Sequence, residues 1–196
     1  GSIDSTLLFL ILISEVYRWT GKFELLVELH RSILQAVQWI EKYGDLDGDG
    51  YVEYETRSSK GLRNQGWKDS GDGIQFFDGT LAEPPIALSE VQGYLFDAYN
   101  RSSELLTLLA ETELATKLVE KAQQLKEKFN SEFWSDSNQY FVLGLDKNKR
   151  QIDSVCSNAG HLLWSGIVDK NKAQSVATTL MSDSLFNGWG VRTLST

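Results

Sequence analysis

This chain of 196 residues holds one cysteine, two histidines and two prolines. With Cys156 alone, no intrachain disulfide can form, and the fold must stand on its core. A lone thiol fits a reducing compartment, so a cytoplasmic setting is the expectation. Cys156 itself reads as a small packed residue rather than a nucleophile. His30 and His161 are too few to build a histidine-rich metal site. No Gly-x-Ser-x-Gly elbow and no Walker-type phosphate loop occur, which disfavours serine-triad hydrolysis and phosphoryl transfer. The run Leu7 to Ile13 is too short to span a bilayer, lacks a preceding basic region and is followed by Ser14-Glu15, so it reads as a buried helix. Positive charge is also scarce. Nineteen basic residues against 27 acidic ones give a net charge of −8, which argues against nucleic acid as a partner. No cofactor and no metal are expected, and a neutral substrate stays compatible with this charge.

What is present is ordinary for a globular protein: 41% hydrophobic and 23% charged residues. The length suits one domain or part of a larger one. From Ser5 to Thr20 the pattern is helical and apolar on nearly all sides, with Asp4 or Ser5 as cap and Gly21 as stop. From Glu24 to Tyr43, Leu25, Leu29, Ile33, Ala36, Val37 and Ile40 recur at helical spacing, and Gly44 ends the run. Gly44 to Pro85 is rich in glycine and aspartate and has no helical period. A loop of that length in a compact domain is usually functional. Pro84-Pro85 closes it and pre-sets the next helix, over Ile86 to Leu109. Further helices are expected over Thr112 to Ser131, Asn158 to Val168 and Asn171 to Met181, with a strand-like stretch at Tyr140 to Leu145. The expected fold is all-α: three helical hairpins in two layers, either a bundle or about half of a larger barrel.

Four segments carry chemistry. Asp45-Leu46-Asp47-Gly48-Asp49-Gly50 resembles the start of a calcium loop, but position twelve is Thr56 rather than glutamate. A tight Asp/Gly turn explains the same residues. In Asn64-Gln65-Gly66-Trp67-Lys68-Asp69-Ser70-Gly71-Asp72 an indole stands beside carboxylates and amides, as a sugar site requires. The indole face stacks on a pyranose ring, and an acid can protonate a glycosidic oxygen. That acid needs a raised pKa, through burial or a like charge such as Asp72 beside Asp69. A polar surface loop anchored by its tryptophan is the other reading. Glu90 and Tyr94 are four apart and share a face near a helix start, either in a cleft or toward solvent. His161 and Trp164 lie one turn apart in Ser157 to Trp164, where a structural histidine competes with a functional one.

Taken in order, these segments resemble the amylo-alpha-1,6-glucosidase, or glycogen debranching, family of six-hairpin glycosidases. The resembling stretches are Gly1 to Thr6, Gly44 to Gly50, Asn64 to Asp72, Glu90 to Tyr94, Ser157 to Trp164 and Gly188 to Ser195. The resemblance implies an (α/α)6 barrel whose long loops form the site at one end. It implies an inverting hydrolase of alpha-glucosidic bonds in glycogen-like or malto-oligosaccharide substrates. Asp69, in Trp67-Lys68-Asp69, would be the general acid. Asp4, Trp67, Glu90, Gln92, His161, Trp189 and Arg192 would line the sugar pocket. In such families the general base is a glutamate far downstream, and no equivalent stretch occurs in these 196 residues. The expectation is therefore a fragment of a catalytic domain, inactive alone, whose exposed half-barrel faces invite self-association. Two other classes compete with it: a non-catalytic carbohydrate-binding or regulatory helical domain, and a calcium-dependent interaction module.

Overall fold

The computed structural model describes residues 2–195; Gly1, which opens the first resembling stretch, and Thr196 lie outside it. Among the described residues six α-helices form, α1 (Ser5–Thr20), α2 (Phe23–Trp39), α3 (Ser89–Leu108), α4 (Thr112–Glu132), α5 (Asn158–Ser165) and α6 (Lys170–Leu180). They pack as three hairpins, α1 with α2, α3 with α4 and α5 with α6. Helix α3 also packs against α1 and α5, so α1, α3 and α5 make one layer and their partners the other. The apolar periodicity drives this arrangement. Leu26, Ile33, Ala36 and Val37 form the buried stripe of α2, whereas α3 is buried almost throughout its first two turns. Among the described residues no helix is long and apolar enough to cross a membrane.

The ends of the helices follow local chemistry with some differences from expectation. Gly21 and Gly166 stop α1 and α5 in the left-handed conformation, with φ of 64° and 78°. Asp4 occupies the cap position of α1 but makes no capping bond; it accepts a hydrogen bond from the Ser2 hydroxyl instead. Thr112 opens α4, and Glu111 holds the cap position. Helix α2 ends in a wider π-type turn over Ile40–Gly44. Pro84-Pro85 does not begin a helix: a short strand, β1 (Ala87–Leu88), intervenes before α3 starts at Ser89. That strand has partners the local pattern could not reveal. It pairs with β4 (Gly144–Leu145), which pairs with β5 (Gln151–Ile152), all antiparallel. Gly144 is needed there, because a Cβ would lie 2.6 Å from the Ala87 carbonyl oxygen. The strand-like stretch thus divides between two sheets, its first half being β3 (Tyr140–Phe141) paired with β2 (Trp134–Ser135).

Between Gly44 and Pro85 the chain is irregular, with isolated bridges from Tyr54 to Ile86 and Gln75 to Leu81. It is nonetheless well packed: Tyr51, Val52, Tyr54, Ile74 and Ala82 are all 2% exposed or less. Gln92 of α3 ties it down. Its amide accepts from Val52 N–H at 2.9 Å and donates to the carbonyls of Val52 at 2.8 Å and Leu88 at 3.0 Å.

The acidic turn Asp45–Gly50 resolves as an Asp/Gly turn. Asp45 accepts from the backbone N–H groups of Gly48, Asp49 and Gly50. Lys149, at the tip of the β4–β5 hairpin, places its ammonium 2.8 Å from Asp47, 2.7 Å from Asp49 and 2.5 Å from Glu53. A side-chain cation thus stands where a calcium loop would concentrate its charge.

Candidate functional site

The loops before α1, α3 and α5 meet at one end of the three inner helices. The strand-like contact of Ile3 N–H with the Gln65 carbonyl, 2.8 Å, brings Asp4 beside the Gly66-Trp67-Lys68 stretch. Asn64 shapes that stretch from within. It accepts from the Tyr54 hydroxyl at 3.0 Å and donates to the Ser70 carbonyl at 2.6 Å. Gly66 is required by close packing, since a Cβ would lie 2.6 Å from Leu88 Cδ1 and 3.7 Å from Glu90 Oε1.

Glu90 is the electrostatic centre. It is 0% exposed, and neither carboxylate oxygen has a hydrogen-bond partner among the described residues. Burial raises its pKa to about 7; the adjacent Asn158 amide and the Lys68 charge oppose this, and Asp4 adds to it. Asn158 is also 0% exposed, and neither of its amide atoms has a hydrogen-bond partner among the described residues. Orphaned polar groups at this density call for a ligand or water, because each costs free energy when left unmade.

Around this centre stand Trp67, His161 and Tyr94. The Trp67 ring lies 6.2 Å from the His161 ring and is 42% exposed, leaving a face for a ligand. The Tyr94 hydroxyl and His161 Nδ1 are 2.9 Å apart, and the histidine pKa is lowered by burial. Lys68 is 7% exposed, donates to the Thr193 carbonyl, and has its pKa lowered by burial. Trp67 and Lys68 also line a cleft of about 340 Å³, together with Asp69, Asp72, Thr193 and Leu194. Asp69 and Asp72 are both exposed there.

The structure therefore brings together Asp4, Trp67, Glu90 and His161, and sets Asp69 in the cleft sharing their wall. Gln92 is different: its amide is buried and engaged with the Val52 and Leu88 backbone, which makes it a tie rather than a sugar ligand. Trp189 is 98% exposed, and the Arg192 guanidinium donates to the Asp183 carbonyl, so neither touches the Glu90 cluster. Their loop nevertheless borders the cleft through Thr193 and Leu194. Lys68 joins this candidate cluster, and sequence reasoning missed it. A lysine in an irregular loop shows no periodicity, and only its place between Trp67 and Asp69 could have drawn notice.

Neither a family model nor a curated protein sequence matches this chain. Solved structures do. A sialidase matches with TM-score 0.69 and 15% identity, over 89% of this chain and 15% of its own. The rhamnosidase of Bacillus sp. GL1 matches with TM-score 0.70 and 15% identity, over 93% of this chain and 17% of its own. A rhamnosidase from Klebsiella oxytoca with rhamnose bound gives 0.61 and 17%, over 92% of this chain and 30% of that one. The chain thus spans less than a third of the length of each. At such identity the likeness concerns the fold: helical hairpins forming part of an (α/α)6 barrel, as in these six-hairpin glycosidases.

Proposed function

We propose that this chain is part of an inverting glycoside hydrolase acting on alpha-glucosidic bonds, of the amylo-alpha-1,6-glucosidase kind its motifs resemble. The observation that carries the reading is the orphaned, buried Glu90 beside Asn158, with a half-exposed indole at hand. Unpaired carboxylate and amide atoms suit hydroxyl groups, and the Trp67 face suits the apolar side of a pyranose. Asp69 is the proposed general acid, delivering a proton to the leaving oxygen from the cleft bounded by Trp67 and Lys68. Asp4, Glu90 and His161 are the proposed sugar ligands, a narrower set than the motifs suggest.

Inversion uses a second carboxylate, about 6.5–9.5 Å from the first, to activate water. We place that base outside these 196 residues, in keeping with the small share of the matched structures that the chain spans. The chain alone is then inactive, and its exposed apolar stripe of Leu8, Leu12 and Trp19 invites self-association. The test compares a longer protein containing these residues with its Asp69→Asn variant on maltooligosaccharides and branched glucan. The expected loss is about 10²–10⁴-fold in turnover. Undiminished turnover by the variant removes the assignment.

A further inference from the structure

We infer that a pocket next to the candidate site, walled by Trp39, Tyr43, Glu53 and Gln65, holds the distal units of an oligosaccharide whose end lies at Glu90. The inference rests on the glucosidase reading above and extends it to substrate length.

The pocket measures about 530 Å³ and is also lined by Thr56 and Arg57. That is within the range of about 300–1,000 Å³ typical of small-molecule sites. Its position follows from two neighbouring segments. Ile3 and Gln65, joined by a backbone hydrogen bond, both line the pocket. One residue beyond Ile3, Asp4 acts on the Glu90 charge, and two residues beyond Gln65, Trp67 meets His161. Backbone adjacency thus sets the pocket beside the Glu90 cluster.

Its chemistry selects a neutral polyhydroxyl ligand. Trp39 and Tyr43 are aromatic walls one turn apart, at the π-type turn that ends α2. Such turns recur at functional sites. Tyr43 is 52% exposed, so its ring is open to stacking. Glu53 is 1% exposed; Oε1 meets Lys149, but Oε2 is buried with no partner among the described residues. A hydroxyl donor satisfies it. Glu53 and Glu55 oppose an anionic ligand and Arg57 opposes a cationic one, whereas Gln65, Thr56 and both charge signs suit hydroxyl groups.

Isothermal titration of a longer protein containing these residues, in its Asp69→Asn form, with maltose and with maltoheptaose tests this, alongside Tyr43→Ala and Tyr43→Phe. One stacked ring corresponds to about tenfold in affinity. Maltoheptaose is expected to bind about tenfold more tightly than maltose, Tyr43→Ala to erase that difference, and Tyr43→Phe to keep it. Tyr43 is exposed, so its truncation opens no core. Maltose binding with no gain for maltoheptaose, or a gain that survives Tyr43→Ala, overturns the pocket and leaves the Glu90 reading standing. Absence of binding by either saccharide overturns both.

Discussion

Glu53 and Glu90 are the two glutamates buried from solvent among the described residues, at 1% and 0% exposure. Burial raises the pKa of each. Glu53 sits among other acids, Asp47 and Asp49, yet all three carboxylates meet the Lys149 ammonium within 2.8 Å. Glu90 has a lysine in its vicinity too, but the Lys68 ammonium donates to the Thr193 carbonyl instead. One region has gathered carboxylates and bridged them by a built-in cation. The other has buried a carboxyl and withheld its partners. The first arrangement holds loops together. The second leaves a carboxyl kept near neutrality by burial, which in the proposed reading binds sugar hydroxyls.

Removing the cation from the first region should give the largest effect on stability. Lys149→Met leaves Asp47, Asp49 and Glu53 facing one another, and breaking a buried ion pair this way costs about 3–5 kcal/mol. The partial exposure of Asp47 and Lys149 favours the lower end of that range. A melting temperature lower by about 10 °C is expected at neutral pH for a chain of this length. A change within error would show that the acidic turn stands without Lys149, and the contrast with Glu90 would collapse.

The second region should respond in the opposite sense, and only at high pH. Glu90 holds its proton more tightly folded, near pH 7, than at its ordinary value of 4.5. Below pH 4.5 it is protonated in both states and costs nothing as an ion. Between pH 4.5 and 7 the unfolded chain gives up this proton while the folded one keeps it, so stability falls across that window and the loss is complete once pH has passed through 7. The shift is equivalent to about 3 kcal/mol. Glu90→Gln should therefore melt higher than the parent at pH 8 and equally at pH 4, by calorimetry. Equal melting at both pH values would mean that Glu90 is not held out of its usual range.

Much of this contrast was legible in the residues and part was not. Helix periodicity located all six helices, because apolar spacing and left-handed glycines such as Gly21 are local signals. The pairing of Ala87-Leu88 with Gly144-Leu145 depends on residues more than fifty positions away, so the helix expected from Ile86 begins late. The family resemblance named Asp4, Trp67, Glu90 and His161 as site candidates, and the packing sets Trp67 beside His161 and the Asp4 charge near Glu90. The order could not distinguish Gln92, whose amide faces the Val52 backbone, from Glu90 two residues earlier. Lys68 and Lys149 were both passed over, since the importance of a lysine lies in what its long side chain reaches. Lys149 reaches Glu53 across 96 positions.

The smallest expected effect concerns calcium, and it separates a satisfied turn from an ion site. Asp45, Asp47 and Asp49 each offer a carboxylate oxygen within 4.8 Å of the others, so their geometry alone would admit a cation. Yet Asp45 already accepts three backbone N–H groups, through both of its oxygens. Lys149 holds an oxygen each of Asp47, Asp49 and Glu53. An incoming calcium ion would have to displace the ammonium, and position twelve, Thr56, brings no bidentate carboxylate in exchange. A ligand that binds only the folded state stabilises it by RT ln(1 + [L]/Kd), so weak binding in the millimolar range yields less than about 0.5 kcal/mol. Melting curves in millimolar calcium and in chelator should coincide for this chain. The same comparison on Lys149→Met is the sharper half of the experiment, because it frees the carboxylates that the lysine holds. Calcium should raise the melting temperature of the variant while leaving the parent unmoved. A parent stabilised by several degrees would show that the ion outcompetes Lys149 and that the turn is a cation site after all.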